Sequence, residues 1–387
     1  MVRTQRKGKR MGRGHWVGLC CLATIALTSL GCTKGEPVRF RLNMEGRDRQ
    51  ALEETEEGRA QLQSLVDAMT AAFGTPDEPY AFPGSGFDVE KLRLAAGPVR
   101  SIESGERGGL FRRHCVHCHG ISGDGAGPTA AFLNPYPRDY RRGQFKVTST
   151  AAGYGPTRAD LVRVLEHGIP GTAMPSFALL PPDEVDALVE YVKYLSMRGQ
   201  VESILYDLVV EGEEEPTAEM IQDEVNNAAE MWAMAEENIL IPEPPPVTDT
   251  PELLAASIAK GQQLFLDANK GACVKCHGPT GLGDGGQVIF DVWNDQKTDD
   301  NIHLFTLPKQ QLVPRNLHLG IYRFGRRPMD LYRRIYAGIK GTPMPAASAT
   351  LSPEEVWHVV NFVRSIPYEP DESTPIVVEP TVAVTGR

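Results

Sequence analysis

The pentapeptide Cys-x-x-Cys-His occurs twice, as Cys115-Val116-His117-Cys118-His119 and as Cys273-Val274-Lys275-Cys276-His277. No other feature restricts this chain as strongly. Thiols three positions apart lie on one helical turn, and the His that follows presents an imidazole from the same turn. This pattern attaches haem through two thioether bonds and offers the His to the iron. Each motif therefore implies one haem c, held by Cys115 and Cys118 in the first case and by Cys273 and Cys276 in the second. His119 and His277 are the corresponding iron ligands. A redox dithiol or half of a zinc site would use similar cysteines. The first needs a βαβ setting and gives no reason for the trailing His, and the second needs further Cys or His at finger-like spacing.

The two motifs sit in an internal repeat. Leu110-Phe111 precedes the first and Leu264-Phe265 the second. After the His come Gly120, Gly123, Asp124, Gly125 and Gly127 in one unit, and Gly278, Gly281, Gly283, Asp284 and Gly285 in the other. Such chain turns tightly and can approach a flat ring, because glycine has no Cβ. A phosphate loop is the rival reading, but no Lys-Ser/Thr follows and no strand precedes. Further on, Pro137-Arg138-Asp139-Tyr140 matches Pro314-Arg315-Asn316-Leu317. The stretch from Asp160 to Pro175 matches the one from Asp330 to Pro345, so that each unit carries Gly-Thr-x-Met-Pro after a helical segment. Pro after the Met holds a soft thioether on extended chain. Final helices are expected over 182–195, opened by Pro182-Asp183-Glu184, and over 352–366, opened by a Ser352/Glu355 capping box.

In these residues the chain resembles the class I c-type cytochromes, specifically exported two-haem members, over about 104–199 and 253–367. The resemblance implies an all-α fold of two tandem cytochrome c domains, 104–200 and 251–367. It also implies that Met174 and Met344 complete the iron coordination opposite His119 and His277 and raise the potentials. His167, His303 and His318 are the competing ligands, and Ala337 stands where the second unit would repeat His167. In the family a Pro carbonyl often orients the haem His. Pro128 is the candidate for His119, whereas domain 2 has Gln287 and no Pro nearby, which leaves the partner of His277 open.

Outside the repeat, Arg3, Arg6, Lys7, Lys9, Arg10 and Arg13 precede the apolar run 16–30. This reads as an export signal over 1–31, too short to span a bilayer comfortably. Ser29-Leu30-Gly31-Cys32 resembles a bacterial lipoprotein signal, with Cys32 as the lipid-bearing residue, although Ser29 replaces the usual Leu or Val. Cys20 and Cys21 would leave with the signal. Residues 32–103 are expected to form an N-terminal extension with one amphipathic helix, about 50–73, either capping domain 1 or serving a partner. Between Arg198 and Lys260 there are 15 Asp/Glu and no Lys or Arg. Residues 201–250 are therefore expected as an acidic, Pro-rich linker with a helix near 217–238. An extra stretch in domain 2, about 287–312 with Trp293, Asp295, Asp299 and Asp300, reads as a longer loop or a docking surface. Residues 368–387 read as a flexible tail.

The net charge of −10, with no basic run beyond the leader, argues against nucleic acid as a partner. The resemblance implies single-electron transfer between a membrane-associated donor and an acceptor in a respiratory chain, on the periplasmic side of a bacterial membrane. Partners would be a quinol-oxidising complex, an oxidase or a dehydrogenase. The alternatives are a two-haem peroxidase, which needs one iron with an open position, and a fixed cytochrome subunit of a terminal oxidase or a periplasmic dehydrogenase.

Overall fold

A computed structural model describes residues 38–44, 47–100, 107–286, 289–290, 307 and 310–368. The chain divides into two units, 1–39 and 40–387. In the first only residues 38 and 39 are described, and all that follows concerns the second. The expected signal over 1–31, Cys20, Cys21 and Cys32 lie outside the described residues. So do Trp293, Asp295, Asp299, Asp300 and His303 of the domain 2 insertion, and the tail beyond Tyr368.

The expectation of an all-helical chain holds. Among the described residues the only ladder is the antiparallel pair β1 (Ile289–Phe290) and β2 (Gln311–Leu312), two residues on each side. The expected single helix over 50–73 is two, α1 (Arg49–Glu54) and α2 (Glu56–Phe73). The break falls at Thr55, which is extended (φ −100°, ψ 153°) and accepts the Gly58 N–H on its hydroxyl at 2.9 Å, an N-cap inserted into an otherwise helical sequence. Leu65, Met69 and Phe73 on α2 are almost inaccessible. Burying a side chain of that size is worth about 1.5–3 kcal/mol. The N-terminal extension is thus a fixed part of the first core and not a detachable arm.

That core is built around α7 (Pro182–Tyr206), which runs eleven residues past the point where the apolar stripe of 182–195 suggested it would end. Tyr194 lies at its centre, stacked on Tyr191 at 5.5 Å and edge-on to Phe73 and Phe87 at 5.8 and 5.4 Å. Its hydroxyl donates to the Phe73 carbonyl at the C-terminus of α2, so the buried phenol is satisfied. Shorter helices complete the unit: α3 (Val89–Ala95), capped by Asp88, then α4 (Leu110–His114), α5 (Val116–His119) and α6 (Arg158–His167), the last opened by a Thr157/Asp160 capping box.

The linker expected over 201–250 is not a free tether. Its first residues finish α7, where Val201, Leu205 and Tyr206 are buried. Its helix, α8 (Ala218–Glu237), puts Ile221, Val225 and Ala228 into the same core. The acidic residues occupy the opposite face, so the charge run is the solvated side of a packed helix. The chain after α8 then straps both halves together. Ala151 and Leu240 exchange backbone bonds with Asn238 and Ser149 at 2.9 Å, while Arg333 Nε and Trp357 Nε1 of the second half donate to the Leu240 and Glu243 carbonyls at 3.1 and 2.8 Å.

The second half is leaner. It holds α9 (Pro251–Leu266), α10 (Val274–His277), α11 (Pro328–Ala337) and α12 (Pro353–Ser365). Helices α9 and α12 cross at Gly261, where a Cβ would run into the His358 carbonyl. Phe265 meets Phe362 at 5.3 Å there, as Phe111 meets Tyr191 at 5.0 Å in the first half. Between the halves, Asp330 accepts both Arg163 nitrogens at 2.8 and 2.9 Å and both Arg327 nitrogens at 2.9 Å, and its side chain is only 3% exposed. Gln310 bridges Leu133 O and Tyr136 N at 3.0 and 3.2 Å, and Arg334 donates to the Lys146 and Thr148 carbonyls.

Burial alone would raise the Asp330 carboxyl, but the hydrogen bonds from Arg163 and Arg327 outweigh it and hold the group well below the usual carboxylate range. A depressed carboxylate stabilises the folded state above the unfolded-state value of about 3.9, and that contribution is lost as the pH falls through the folded value. Asp330→Asn should therefore cost about 1.5–3 kcal/mol near neutral pH. The gap from wild type should narrow below about pH 4, as read by denaturant unfolding across pH.

Candidate functional site

The two Cys-x-x-Cys-His turns fold alike because each is a single helical turn closed by a glycine. The His119 N–H donates to the Cys115 carbonyl at 2.9 Å, and the His277 N–H to that of Cys273 at 2.9 Å. Gly120 and Gly278 follow at φ 72° and 74°. At each, a Cβ would collide with a carboxylate, Asp124 in one unit and Asp284 in the other. The two aspartates stand at different positions in the chain yet fill the same place over the turn. The loops then continue in step: Gly125 N and Gly283 N donate to the His119 and His277 carbonyls at 2.9 Å. Tyr140 N and Leu317 N bond Gly123 O and Gly281 O at 2.7 and 2.8 Å.

That last pair of bonds brings the Pro-Arg-Asp/Asn segment under the imidazole. His119 Nδ1 lies 3.0 Å from the Arg138 carbonyl, and His277 Nδ1 lies 3.3 Å from that of Arg315. The orienting carbonyl is therefore not that of Pro128, and the open partner of His277 is resolved in the same way as that of His119. A carbonyl only accepts, so Nδ1 carries the proton and Nε2 keeps its lone pair. Burial lowers the His119 ring to about 4, against the opposing pull of the Arg138 carbonyl, and it lowers His277 as well. Both rings are thus neutral near pH 7, the form that binds a metal. Tyr140 stacks on the first imidazole at 4.6 Å and 16°. The second unit has Leu317 in that place, with Phe265 tilted at 6.3 Å.

The Gly-Thr-x-Met-Pro loops are superposable bond by bond. Met174 O and Met344 O accept from Ile169 N and Ile339 N at 3.1 Å. The Thr172 and Thr342 hydroxyls donate to Ile169 O and Ile339 O at 2.8 Å and accept the Met N–H at 3.2 and 3.3 Å. Each Met packs against the same apolar cluster as the first Cys of its own motif, Met174 with Cys115 and Met344 with Cys273. The first Cys and the Met of each repeat thus border one apolar cluster. The competing histidines are otherwise engaged: His167 is exposed with Nδ1 3.1 Å from Arg163 O of its own helix, and His318 Nε2 meets Thr280 O at 2.8 Å.

Cys115, Cys118, Cys273 and Cys276 are not joined in disulfides. Burial pushes Cys115 up to about 12 and Cys273 up to about 11. A redox dithiol needs the opposite shift, toward the thiolate. Among the described residues no group of three or more His, Cys, Asp and Glu converges as a metal site, as zinc would require. The residues do fit a haem: neutral thiols for its vinyl groups, an Nε2 lone pair and a thioether for its iron, and apolar walls. They also include a buried guanidinium nitrogen, Arg315 Nη2, that has no hydrogen-bond partner among the described residues. Leaving such a donor unpaired costs about 1–3 kcal/mol, and a haem carboxylate is a fitting acceptor.

Sequence reasoning missed Arg138 and Arg315. The signal was present as the repeated Pro-Arg-Asp/Asn, but a carbonyl acceptor leaves no side-chain signature. Thr172→Val and Thr342→Val should each cost about 0.5–1.5 kcal/mol by releasing the Met loop at constant shape. Denaturant unfolding of the haem-loaded variants measures this.

No curated protein sequence matches the chain. In structure the chain is similar to one from the Kuenenia stuttgartiensis reducing HAO-like protein complex, with 24% identity and a TM-score of 0.46, covering 70% of this chain and 98% of that one. The cytochrome c family profile matches residues 107–196 and 258–367, just over half of the 387 residues and the same two segments that carry the repeated geometry. The chain belongs to the cytochrome c family, whose domains bind haem c covalently.

Proposed function

We propose that this cytochrome holds two haems c, one at each motif, and passes single electrons between a membrane-associated donor and an acceptor. His119 and Met174 take one iron, and His277 and Met344 take the other. The observation that carries this reading is the bond-for-bond equivalence of the two His and Met loops. Two sites built alike around a thioether favour two low-spin carriers over a peroxidase, which needs one iron with an open position. When bound, the haem iron supplies the one-electron chemistry. The protein holds each imidazole neutral and fixed in orientation, keeps a soft donor on a hydrogen-bonded loop, and surrounds both with apolar side chains.

We place the protein on the periplasmic side of a bacterial membrane, anchored by lipid at Cys32. Among the described residues no helix is long and apolar enough to cross a membrane, so an anchor outside them is what membrane attachment would require. The acidic outer face of α8 suits a basic redox partner through long-range attraction. A quinol-oxidising complex, an oxidase and a dehydrogenase are the candidate partners, whether met transiently or bound as a fixed subunit.

A redox titration of the haem-loaded protein beside Met174→Ala and Met344→Ala tests the ligands. Each variant should lower one potential and spare the other. The expected fall is on the order of a tenth of a volt, a fraction of the roughly 0.8 V that axial ligands span. An unchanged pair of potentials would remove that Met from the coordination sphere. Cys32→Ser should move the chain from the membrane to the soluble periplasmic fraction, and persistent membrane retention would count against the anchor.

A further inference from the structure

Each carbonyl that holds an axial His belongs to an arginine whose side chain points at the other half of the molecule. A Cβ on Gly171, in the Met loop of the first unit, would lie 2.5 Å from Nη2 of Arg315 in the second. One on Gly341, in the Met loop of the second unit, would lie 3.3 Å from Nη1 of Arg138 in the first. Gly171 and Gly341 are the same position of the repeat, as are Arg138 and Arg315. The interface is therefore reciprocal, in the manner of an isologous dimer contained in one chain. Among the described residues a single ion pair adds to this interface, Asp330 of the second half binding Arg163 of the first.

We propose that Arg138 and Arg315 are positioning residues that couple the two haem sites, each fixing its own site's imidazole through the backbone while setting its positive charge against the other site's Met loop. The inference rests on the two-haem reading above. A guanidinium in this interface is shielded from water, so its charge acts more strongly than at the surface. The oxidised iron carries one more positive charge than the reduced iron, and a nearby cation therefore raises the potential. Because each arginine lies between the two sites, removing either charge lowers both potentials. A haem carboxylate that accepts from Arg315 Nη2 would tie the guanidinium down without cancelling this geometry.

The test uses the full haem-loaded chain. Arg315→Gln and Arg138→Gln are titrated potentiometrically in a Met344→His background, whose altered low-spin signal marks the second haem. Covalent haem per chain is counted on the same samples from the alkaline pyridine spectrum. In Arg315→Gln the potential of the His119 haem should fall together with that of the His277 haem, and Arg138→Gln should do the same. Arg315→Lys and Arg138→Lys, which keep the charge, should restore most of each shift. A change confined to the variant's own domain, or no change at all, overturns the coupling. A haem count below two in the unsubstituted protein overturns the two-haem reading instead. Should one Gln variant fail to load haem, the other carries the test, since the geometry is reciprocal.

Discussion

A histidine on one isolated helical turn is free to swing about two torsions, and what stops it here is a single backbone carbonyl. Nδ1 of His119 finds that of Arg138, 19 residues on, and His277 finds that of Arg315, 38 residues on. The bond sets the tautomer, leaves Nε2 with its lone pair, and requires the chain to return beneath the ring. The return is secured by one further bond in each unit, Tyr140 N to Gly123 O or Leu317 N to Gly281 O. What lies between can vary in length without disturbing the site. This accounts for the second unit tolerating extra chain around β1 and β2 while keeping the geometry of the first.

The two units differ in how they are supported. Among the described residues the second builds its core from α9, α11 and α12 together with Leu317, Leu351 and Ile366. The first recruits α2 and α3 from before its motif and α8 from after it, all packed on an α7 of 25 residues. Duplication then gives the halves surfaces that meet reciprocally through the arginines whose carbonyls hold His119 and His277, with the Asp330–Arg163 ion pair added on one side. The strap at Asn238–Glu243 closes this arrangement by bonding to both halves. Pro242 within it lacks an N–H group and so offers no donor to a further strand.

Much of the site was legible because its determinants are local. Two thiols and a His on one turn, a Met between Thr and Pro, and a Ser352/Glu355 cap each act over a few residues and leave their mark at fixed spacing. Other features were legible as residues but not as roles. Pro-Arg-Asp/Asn was visible as a repeat, yet its function resides in a carbonyl that every residue type shares. The acidic run read as linker because charge density marks the wet face of α8 more loudly than Ile221, Val225 and Ala228 mark the dry one. Thr55 was read as part of one helix, since a single N-cap inside an amphipathic pattern does not interrupt its period.

The amino-acid sequence by itself marked two like sets of thiols, imidazole and thioether, because each Cys-x-x-Cys-His turn and each Gly-Thr-x-Met-Pro loop is written in neighbouring residues. It also pointed to the helical class, through its resemblance to the class I c-type cytochromes. Only the tertiary structure decided which carbonyl fixes each imidazole, which segments beyond the repeat complete the first core, and that each arginine faces the other unit's Met loop. Those outcomes depend on contacts between residues 19 to more than a hundred positions apart, and they are selected by the packing of whole helices against one another.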